Sequence, residues 1–533
     1  MNILFASYGD FFCNSTIHVF GFANQLARMG HACAVAVPKN KESVSNLGEA
    51  RFKALSFDEV NNGAALFDSG ATPDLIHCWT PREVVRKLVE PLRAKWGCKL
   101  AIHLEDNEDA LLESFLKMSA AELKALDSSA LDRLVPDDLS HPLRYRTFLE
   151  SADGVSVIMD RLKELLPYNK PIEILWPGID FERFKPSAII EREKQFAGIE
   201  PGDHVVAYTG HVHWANREDV RALYLAVGEL NARGVKTKLL RTGEDFYPFL
   251  SANEEYARQF EVRLGRVDWS EIPRVLNAAD VLVQPGQDDN FNAFRLPSKL
   301  PEFFAMGKPV ILPRTNLGRF VAEGDCAIVL QSACVLELAA CIEALFKGPE
   351  LSAHLGAAAR RFALTYFNWA NSGKWIERFH RRLCGLADDT GDRNPIATLA
   401  AHPVADLPLD QAAYDQLMRL NCARWPAIAE SLNIVEKRLA KMSADGAAGK
   451  IEFETRLFEV RKTRSWRFMR FLRRVAGMLG RGEEGGWIGF IKWLFKRPGA
   501  TTKNFDPFEG AAIHSVDFDR SEARAIQPSH LNK

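Results

Sequence analysis

Residues 2–38 read NILFASYGDFFCNSTIHVFGFANQLARMGHACAVAVP. Ile3-Leu4-Phe5-Ala6 is a short apolar run, and a polar, glycine-containing loop follows from Ser7 to Ser15. A helix is expected from about Thr16 to Met29, with Gly30 suited to the left-handed position after its last turn. Ala32 to Val37 is a second apolar run, closed by Pro38. Strand, helix and strand in one short stretch is the unit of a parallel sheet covered on both faces. The pattern continues at Leu75-Ile76-His77, at Leu100 to Leu104 and at Val155 to Ile158.

A second series begins near His204. Val205-Val206-Ala207-Tyr208 ends at Thr209-Gly210, Lys238-Leu239-Leu240 at Thr242-Gly243, Val262-Arg263-Leu264 at Gly265, and Val281-Leu282-Val283 at Pro285-Gly286. Val310-Ile311-Leu312 follows a helix expected to stop at Gly307. The fold class expected is therefore α/β, with two doubly wound, Rossmann-like domains at residues 1–185 and 186–385. Trp176-Pro177-Gly178-Ile179-Asp180 and the segment to Pro186 read as the hinge. A ligand is expected in the cleft where the carboxyl ends of the two sheets meet. Residues 386–464 read as a linker with helices, 465–500 as a basic aromatic segment, and 501–533 as a flexible tail.

Composition agrees with a large buried core. Of 533 residues, 47 % are hydrophobic and 26 % charged, which excludes a disordered, collagen-like or disulfide-scaffold chain. The 68 basic and 69 acidic side chains leave a net charge of -1, which speaks against a dedicated nucleic-acid binder. The nine cysteines have no CxxC pair and several lie in apolar runs, so they read as reduced, buried thiols of a cytoplasmic protein. The first ten residues lack a basic leader, and no stretch reaches the roughly 18–20 apolar residues that span a bilayer. No GxSxG, Walker loop or HExxH occurs.

The block Asn292 to Val310, NAFRLPSKLPEFFAMGKPV, carries the most chemistry. A loop reaches Pro297-Ser298 and opens a helix whose free N–H groups suit an anion. Lys299 adds a charge in its first turn and Glu302 lies one turn on, so a diphosphate and a ribose would satisfy both. The same residues would also suit a helix capped by Ser298, with Glu302 favouring its positive end and Lys299 in solvent. Ala101 to Asp109, AIHLEDNED, places His103, Glu105 and Asp106 at a strand end facing the expected cleft, where a polar group could orient or deprotonate a substrate hydroxyl. A solvated acidic turn capping the next helix is the other reading. His211-Val212-His213 lacks a third ligand, and no metal site is expected.

Three segments together resemble the GT-B glycosyltransferases, in particular glycosyltransferase family 4. They are Pro73-Asp74-Leu75-Ile76-His77, the hinge WPGIDFERFKP at 176–186, and the Pro297 to Val310 block. The resemblance covers about residues 1–385. It implies a nucleotide-sugar donor, no other cofactor, and retention of anomeric configuration. It places the donor ribose on Glu302, the diphosphate near Ser298 and Lys299, a glycine-rich turn at Gly210, and a phosphate-binding basic residue near Arg217. Arg241, at a strand end, is a further phosphate candidate. For each arginine, a structural salt bridge is the other reading. The family pattern has a second glutamate eight positions before Glu302, where this chain has Phe294. Asp288, Asp289 and Asn290 are the neighbours that would have to replace it.

Between Arg461 and Arg497 there are eleven Lys or Arg against two acids, a local net of +9, with seven aromatics interleaved. At ~100° per residue, Phe468, Phe471, Leu472, Val475, Met478 and Leu479 share one side. Arg467, Arg470, Arg473, Arg474 and Arg481 take the other. With Trp466, Trp487 and Trp493, this is the composition of a helix lying on an anionic membrane. Packing against the protein's own domains is the other reading. The run Arg464-Ser465-Trp466-Arg467 resembles a tail element of bacterial polysaccharide glycosyltransferases. The expected protein is thus a transferase, peripheral on the inner face of the cytoplasmic membrane, acting on a glycan or lipid-linked glycan of a surface polysaccharide such as lipopolysaccharide. A non-catalytic nucleotide- or glycan-binding scaffold and a nucleotide-sugar epimerase remain as alternatives. The sequence carries no signal of oligomeric state.

Overall fold

The structure is a computed structural model, and it describes residues 1–166, 170–187, 196–321, 326–330, 333–387 and 393–401. The helices read over 410–464, the basic aromatic segment with Trp466, Arg467, Arg470, Phe471, Arg473, Arg474, Trp487 and Trp493, and the tail 501–533 lie outside the described residues.

The first sheet has seven strands: β1 (Asn2–Ser7), β2 (Ala32–Val37), β3 (Lys53–Ser56), β4 (Leu75–Trp79), β5 (Lys99–Leu104), β6 (Gly154–Val157) and β7 (Ile172–Ile174). Their order is β3-β2-β1-β4-β5-β6-β7 and every pairing is parallel. Alternate residues of β1 feed two separate cores. Leu4 and Ala6 join Val85, Leu88, Val89 and Leu92 of helix α2 (Glu83–Trp96) on one face. Ile3 and Phe5 join Val19, Phe22 and Leu26 of α1 (Asn14–Arg28) on the other. Gly30, at φ 88°, ends α1 where the sequence places its stop.

The second sheet holds β8 (His204–Tyr208), β9 (Thr237–Arg241), β10 (Glu261–Arg263), β11 (Val281–Val283), β12 (Val310–Pro313) and β13 (Ile328–Leu330), in the order β10-β9-β8-β11-β12-β13. It too is parallel throughout. Helices α3 (Arg217–Ala232), α4 (Lys299–Ala305) and α5 (Val335–Lys347) pack on it. Strand order reverses at β1/β4 in the first sheet and at β8/β11 in the second. These are the two points where a doubly wound sheet opens a crevice.

The chain crosses between domains twice. Trp176, in the first crossing, is buried against Phe320 and Phe367 at 5.7 and 5.3 Å between ring centroids. In the second crossing Asn368 bridges Ile179, whose N–H donates to the Phe367 carbonyl at 2.8 Å. Helix α6 (Trp369–Leu383) then returns to the first domain, where Ile376, Phe379 and Leu383 complete the core shared by Ile3 and Phe5. The second domain, read in the sequence as 186–385, therefore gives up its last helix, because the apolar face of α6 finds its partner on α1.

Trp369 sits between two glycines. A Cβ at Gly21 would lie 2.1 Å from its ring, and one at Gly178 would lie 2.4 Å from its backbone nitrogen. Gly178→Ala should therefore force the crossing apart, lowering unfolding free energy by about 1–3 kcal/mol. Urea denaturation of the variant against wild type checks this.

Candidate active site

The second-domain wall is built on glycines. Gly210 follows β8 at φ 126° and Gly243 follows β9 at φ 93°, and a Cβ on Gly243 would fall 2.4 Å from the Gly210 carbonyl oxygen. Only glycine lets these strand ends meet so closely. A Cβ on Gly210 would stand 2.9 Å from Lys299 Nζ, so the bare turn also makes room for the ammonium, which lies 3.9 Å from the Tyr208 ring centroid.

Lys299 has no carboxylate ion-pair partner among the described residues, and neither has Arg295, which stacks on Phe291 at 4.5 Å. Burial and the Arg295 charge push the Lys299 ammonium down to about 7. Burial raises Glu302 to about 7, against the Trp269 indole N–H that donates to it at 3.0 Å and the nearby Lys299. His213, partly buried beside Arg295 and Lys299, falls to about 3 through the loss of water and their charges, and is neutral. The wall thus holds spare positive charge, the condition for binding an anion.

Helix α4 has only seven residues, and Pro301 at its third position has no N–H to offer. Ser298 makes no capping hydrogen bond. The helix start is thus a weak anion site, and the two cations carry the charge. Arg241 differs from its reading as a phosphate ligand. It is fully buried, with Nη2 2.5 Å from Asp245, Nη1 3.5 Å from Glu261, and a hydrogen bond from Nη1 to the Tyr224 hydroxyl at 2.9 Å. Arg217 begins α3, half-exposed, 3.6 Å from its neighbour Glu218. Arg295, passed over in the sequence, lies near Lys299 and has no carboxylate ion pair among the described residues. Its one signal was a cation between apolar Phe294 and Leu296.

Phe294 is buried, with the Arg161 guanidinium of the first domain 5.0 Å from its ring centroid. Beside it Arg319 pairs with Asp160 at 2.9 Å. The position where the family pattern has an acid is here an interdomain contact. Asp289 caps its own loop, accepting from the N–H groups of Phe291 and Asn292 at 3.0 and 2.8 Å.

On the first-domain wall, Glu105 is 8 % exposed. Its Oε1 accepts from the Trp79 indole at 2.8 Å and lies 2.7 Å from His18 Nδ1, while Oε2 accepts from the Ser15 hydroxyl. Against the cost of burial, these partners, His18 foremost, hold the carboxyl down at about 2. Both oxygens are spent on the protein, so Glu105 is not itself a surface for a substrate. His103 is a core residue and does not face the cleft. It is fully buried, stacked on Trp79 at 3.8 Å, with Nδ1 2.8 Å from Ser156 Oγ, and burial lowers it to about 3. Asp106 is partly exposed, 4.0 Å from Arg82, and feels Arg295 across the cleft, while burial raises it.

A cavity of about 540 Å³ joins the walls, with His18 and Asn14 on one side, Ser298, Glu302 and Trp269 on the other, and Arg183 and Gly178 from the hinge. His18 went unread because a lone histidine between Ile17 and Val19 looks like any residue of an amphipathic helix. Among the described residues, no group of three His, Cys, Asp or Glu is placed to hold a metal ion.

The buried cluster around Arg241 yields a direct check. Arg241→Ala removes the innermost cation from Asp245 and Glu261, which keep Arg258 at 3.3 and 3.4 Å, and should cost about 1–3 kcal/mol in urea unfolding.

Residues 203–348 match the family model described as Glycosyl transferases group 1. No curated protein matches the chain in sequence. Among solved structures, HepE of Anabaena in complex with UDP-glucose is 14 % identical with a TM-score of 0.54, over 72 % of this chain and 100 % of that one. Sucrose-phosphate synthase of Thermosynechococcus elongatus is 16 % identical with a TM-score of 0.54, over 72 % and 100 %. A glycosyltransferase of Rickettsia africae is 12 % identical with a TM-score of 0.51, over 72 % and 98 %. At these identities the likeness shows the fold, and the second domain supplies the rest: the chain has the two-domain GT-B fold and carries a group 1 glycosyl transferase domain.

Proposed function

We propose that the protein transfers a sugar from a nucleotide diphosphate donor to a hydroxyl of a glycan or lipid-linked glycan in bacterial surface polysaccharide synthesis. The observation that carries this reading is the pair Lys299 and Arg295, two cations beside the Gly210 turn without a carboxylate of their own among the described residues. A diphosphate gains negative charge as the sugar leaves, and cations in a site shielded from water stabilise that charge far more than in bulk solvent. Glu302, steadied by Trp269, would bind the donor ribose. Ser298, on the wall of the same cavity, would meet the donor alongside it.

With Phe294 in place of an acid, stabilisation of the departing diphosphate rests on the two cations. We read the configuration as retained, from the family resemblance, and the nucleotide sugar as the sole co-substrate. Support for a UDP- or other nucleoside diphosphate-sugar comes from the HepE complex with UDP-glucose, which shares the fold. The place of action is read as the inner face of the cytoplasmic membrane, from the basic aromatic segment after Arg461. No helix among the described residues is long and apolar enough to cross a membrane.

Calorimetry with UDP-, GDP-, CMP- and dTDP-sugars, paired with donor hydrolysis, tests the reading. One donor class should bind and turn over slowly. Glu302→Ala should weaken it about ten- to a hundredfold, the worth of one charge-assisted hydrogen bond at about 1.5–3 kcal/mol. Binding of none would overturn the proposal. Affinity should also fall as pH rises above about 7, where free Lys299 loses the proton that the bound diphosphate requires. That slope should persist in Glu302→Gln and vanish in Lys299→Met.

The membrane reading has its own assay, co-sedimentation of the full chain with phosphatidylglycerol vesicles. Reversing Arg470, Arg473 and Arg474 to Glu should release the protein to the supernatant with donor affinity unchanged.

A further inference from the structure

We infer that Trp214 and Phe291 form the platform on which the donor's sugar lies, and that this sugar is a neutral pyranose held through its C–H face. The inference rests on the transfer reaction proposed above and names what that reading lacks, the compartment beyond the diphosphate cations.

The two rings stand where the second sheet opens. Trp214 belongs to the loop after β8 and Phe291 to the loop after β11, the neighbouring strands at which the strand order reverses. Their centroids are 5.9 Å apart, so the pair spans the gap between the two loops. Arg295 stacks on Phe291 at 4.5 Å, which puts the platform next to one of the two cations assigned to the diphosphate. A sugar bonded to that diphosphate has its ring one oxygen away from the last phosphorus.

The core does not use either ring. Both are partly exposed, and among the described residues neither joins a hydrophobic cluster of the second domain. Apolar surface left open beside a charged site is the make-up of a wall that meets a ligand. The loop that carries Phe291 is nevertheless held in place. Asp289 accepts from its N–H, and the Asn292 side chain donates to Asp219 of α3 at 3.2 Å. An aromatic face fixed in advance costs little to order on binding, and it offers dispersion contact to C–H groups.

His213 supplies the polar contact. Its Nδ1 accepts the Ala215 N–H at 3.2 Å, so in the neutral ring the proton sits on Nε2. Loss of water and the charges of Arg295 and Lys299 keep the ring neutral, at about 3. Nε2 makes no hydrogen bond among the described residues, and the ring stands edge-on to Phe291 at 6.3 Å between centroids. An uncharged N–H beside two aromatic faces suits the oxygen of an uncharged sugar, while the cations are taken up by the diphosphate.

The test separates the sugar from the nucleotide. Full-length wild type, Trp214→Ala, Trp214→Phe and His213→Phe are titrated by calorimetry, each after a thermal melt confirms folding. The probes are UDP-glucose, GDP-mannose and dTDP-glucose, each against UDP, GDP or dTDP alone, with UDP-glucuronate and a CMP-linked acidic sugar as charged-sugar controls. For the donor that wild type binds, Trp214→Ala should raise Kd about tenfold and leave the Kd of the bare nucleotide within about twofold. Trp214→Phe should recover most of the loss. His213→Phe, which keeps a ring and removes the N–H, should cost the nucleotide sugar about fivefold and the bare nucleotide little. A loss shared equally by nucleotide sugar and bare nucleotide, an unchanged Kd in Trp214→Ala, or a wild type that binds only a charged-sugar donor overturns the inference and leaves the transferase reading standing. A wild type that binds no nucleotide sugar overturns both.

Discussion

Every strand pairing in both sheets is parallel, and that constraint decides where chemistry can sit. A parallel sheet needs helical crossovers, the crossovers cover both faces, and the strand interiors become apolar. Polar groups are then confined to strand ends and to the loops beyond them. Gly210 and Gly243 stand at the ends of β8 and β9, Glu105 just past the end of β5, and Trp79 at the end of β4. A cavity lined from both domains and the hinge, by His18, Gly178, Ser298 and Glu302 among others, opens between loops and helix starts.

Two glutamates on facing walls, Glu105 buried and Glu302 partly so, show how neighbours set charge. Glu105 meets an indole, a hydroxyl and an imidazole and is held at about 2; Glu302 meets one indole and rises to about 7. Burial opposes ionisation in both, and hydrogen bonds together with neighbouring charges decide between them. The first is a fixed anion that serves its neighbours. The second can exchange a proton near neutrality and has room for a partner from outside. The cations follow the same logic in reverse. Arg241 is enclosed by Asp245, Glu261 and Tyr224, whereas Arg295 and Lys299 have no carboxylate ion pair among the described residues.

Sequence reading reached the two α/β series and the chain crossing at Trp176, because these rest on local patterns: apolar runs and glycine stops. It failed where partners are distant in the chain. His103 and Glu105 are two residues apart at one strand end, yet His103 disappears into the core against Trp79 and Ser156. A strand buried on both faces shows no alternation that would mark its inward side. Arg241, at a strand end, and Arg295, in a loop, are both cations of the second domain, and only the structure shows that Asp245 and Glu261 enclose the first. Helix α6 reads as the last helix of the second domain until its apolar face is seen on α1.

The paired crossings have a mechanical consequence. Two single strands of chain, joined side by side through Ile179, Phe367 and Asn368 and wedged by Trp369 between Gly21 and Gly178, resist twist far more than they resist bending. The soft coordinate between the domains is then one angle, the gape of the cleft. Next to Phe320, which packs on Trp176, the Asp160–Arg319 pair and the Arg161–Phe294 contact tie the domains a further time. Opening would part these contacts and would move His18 and Glu302 along one arc, so that the two walls meet in the same alignment each time the cleft closes.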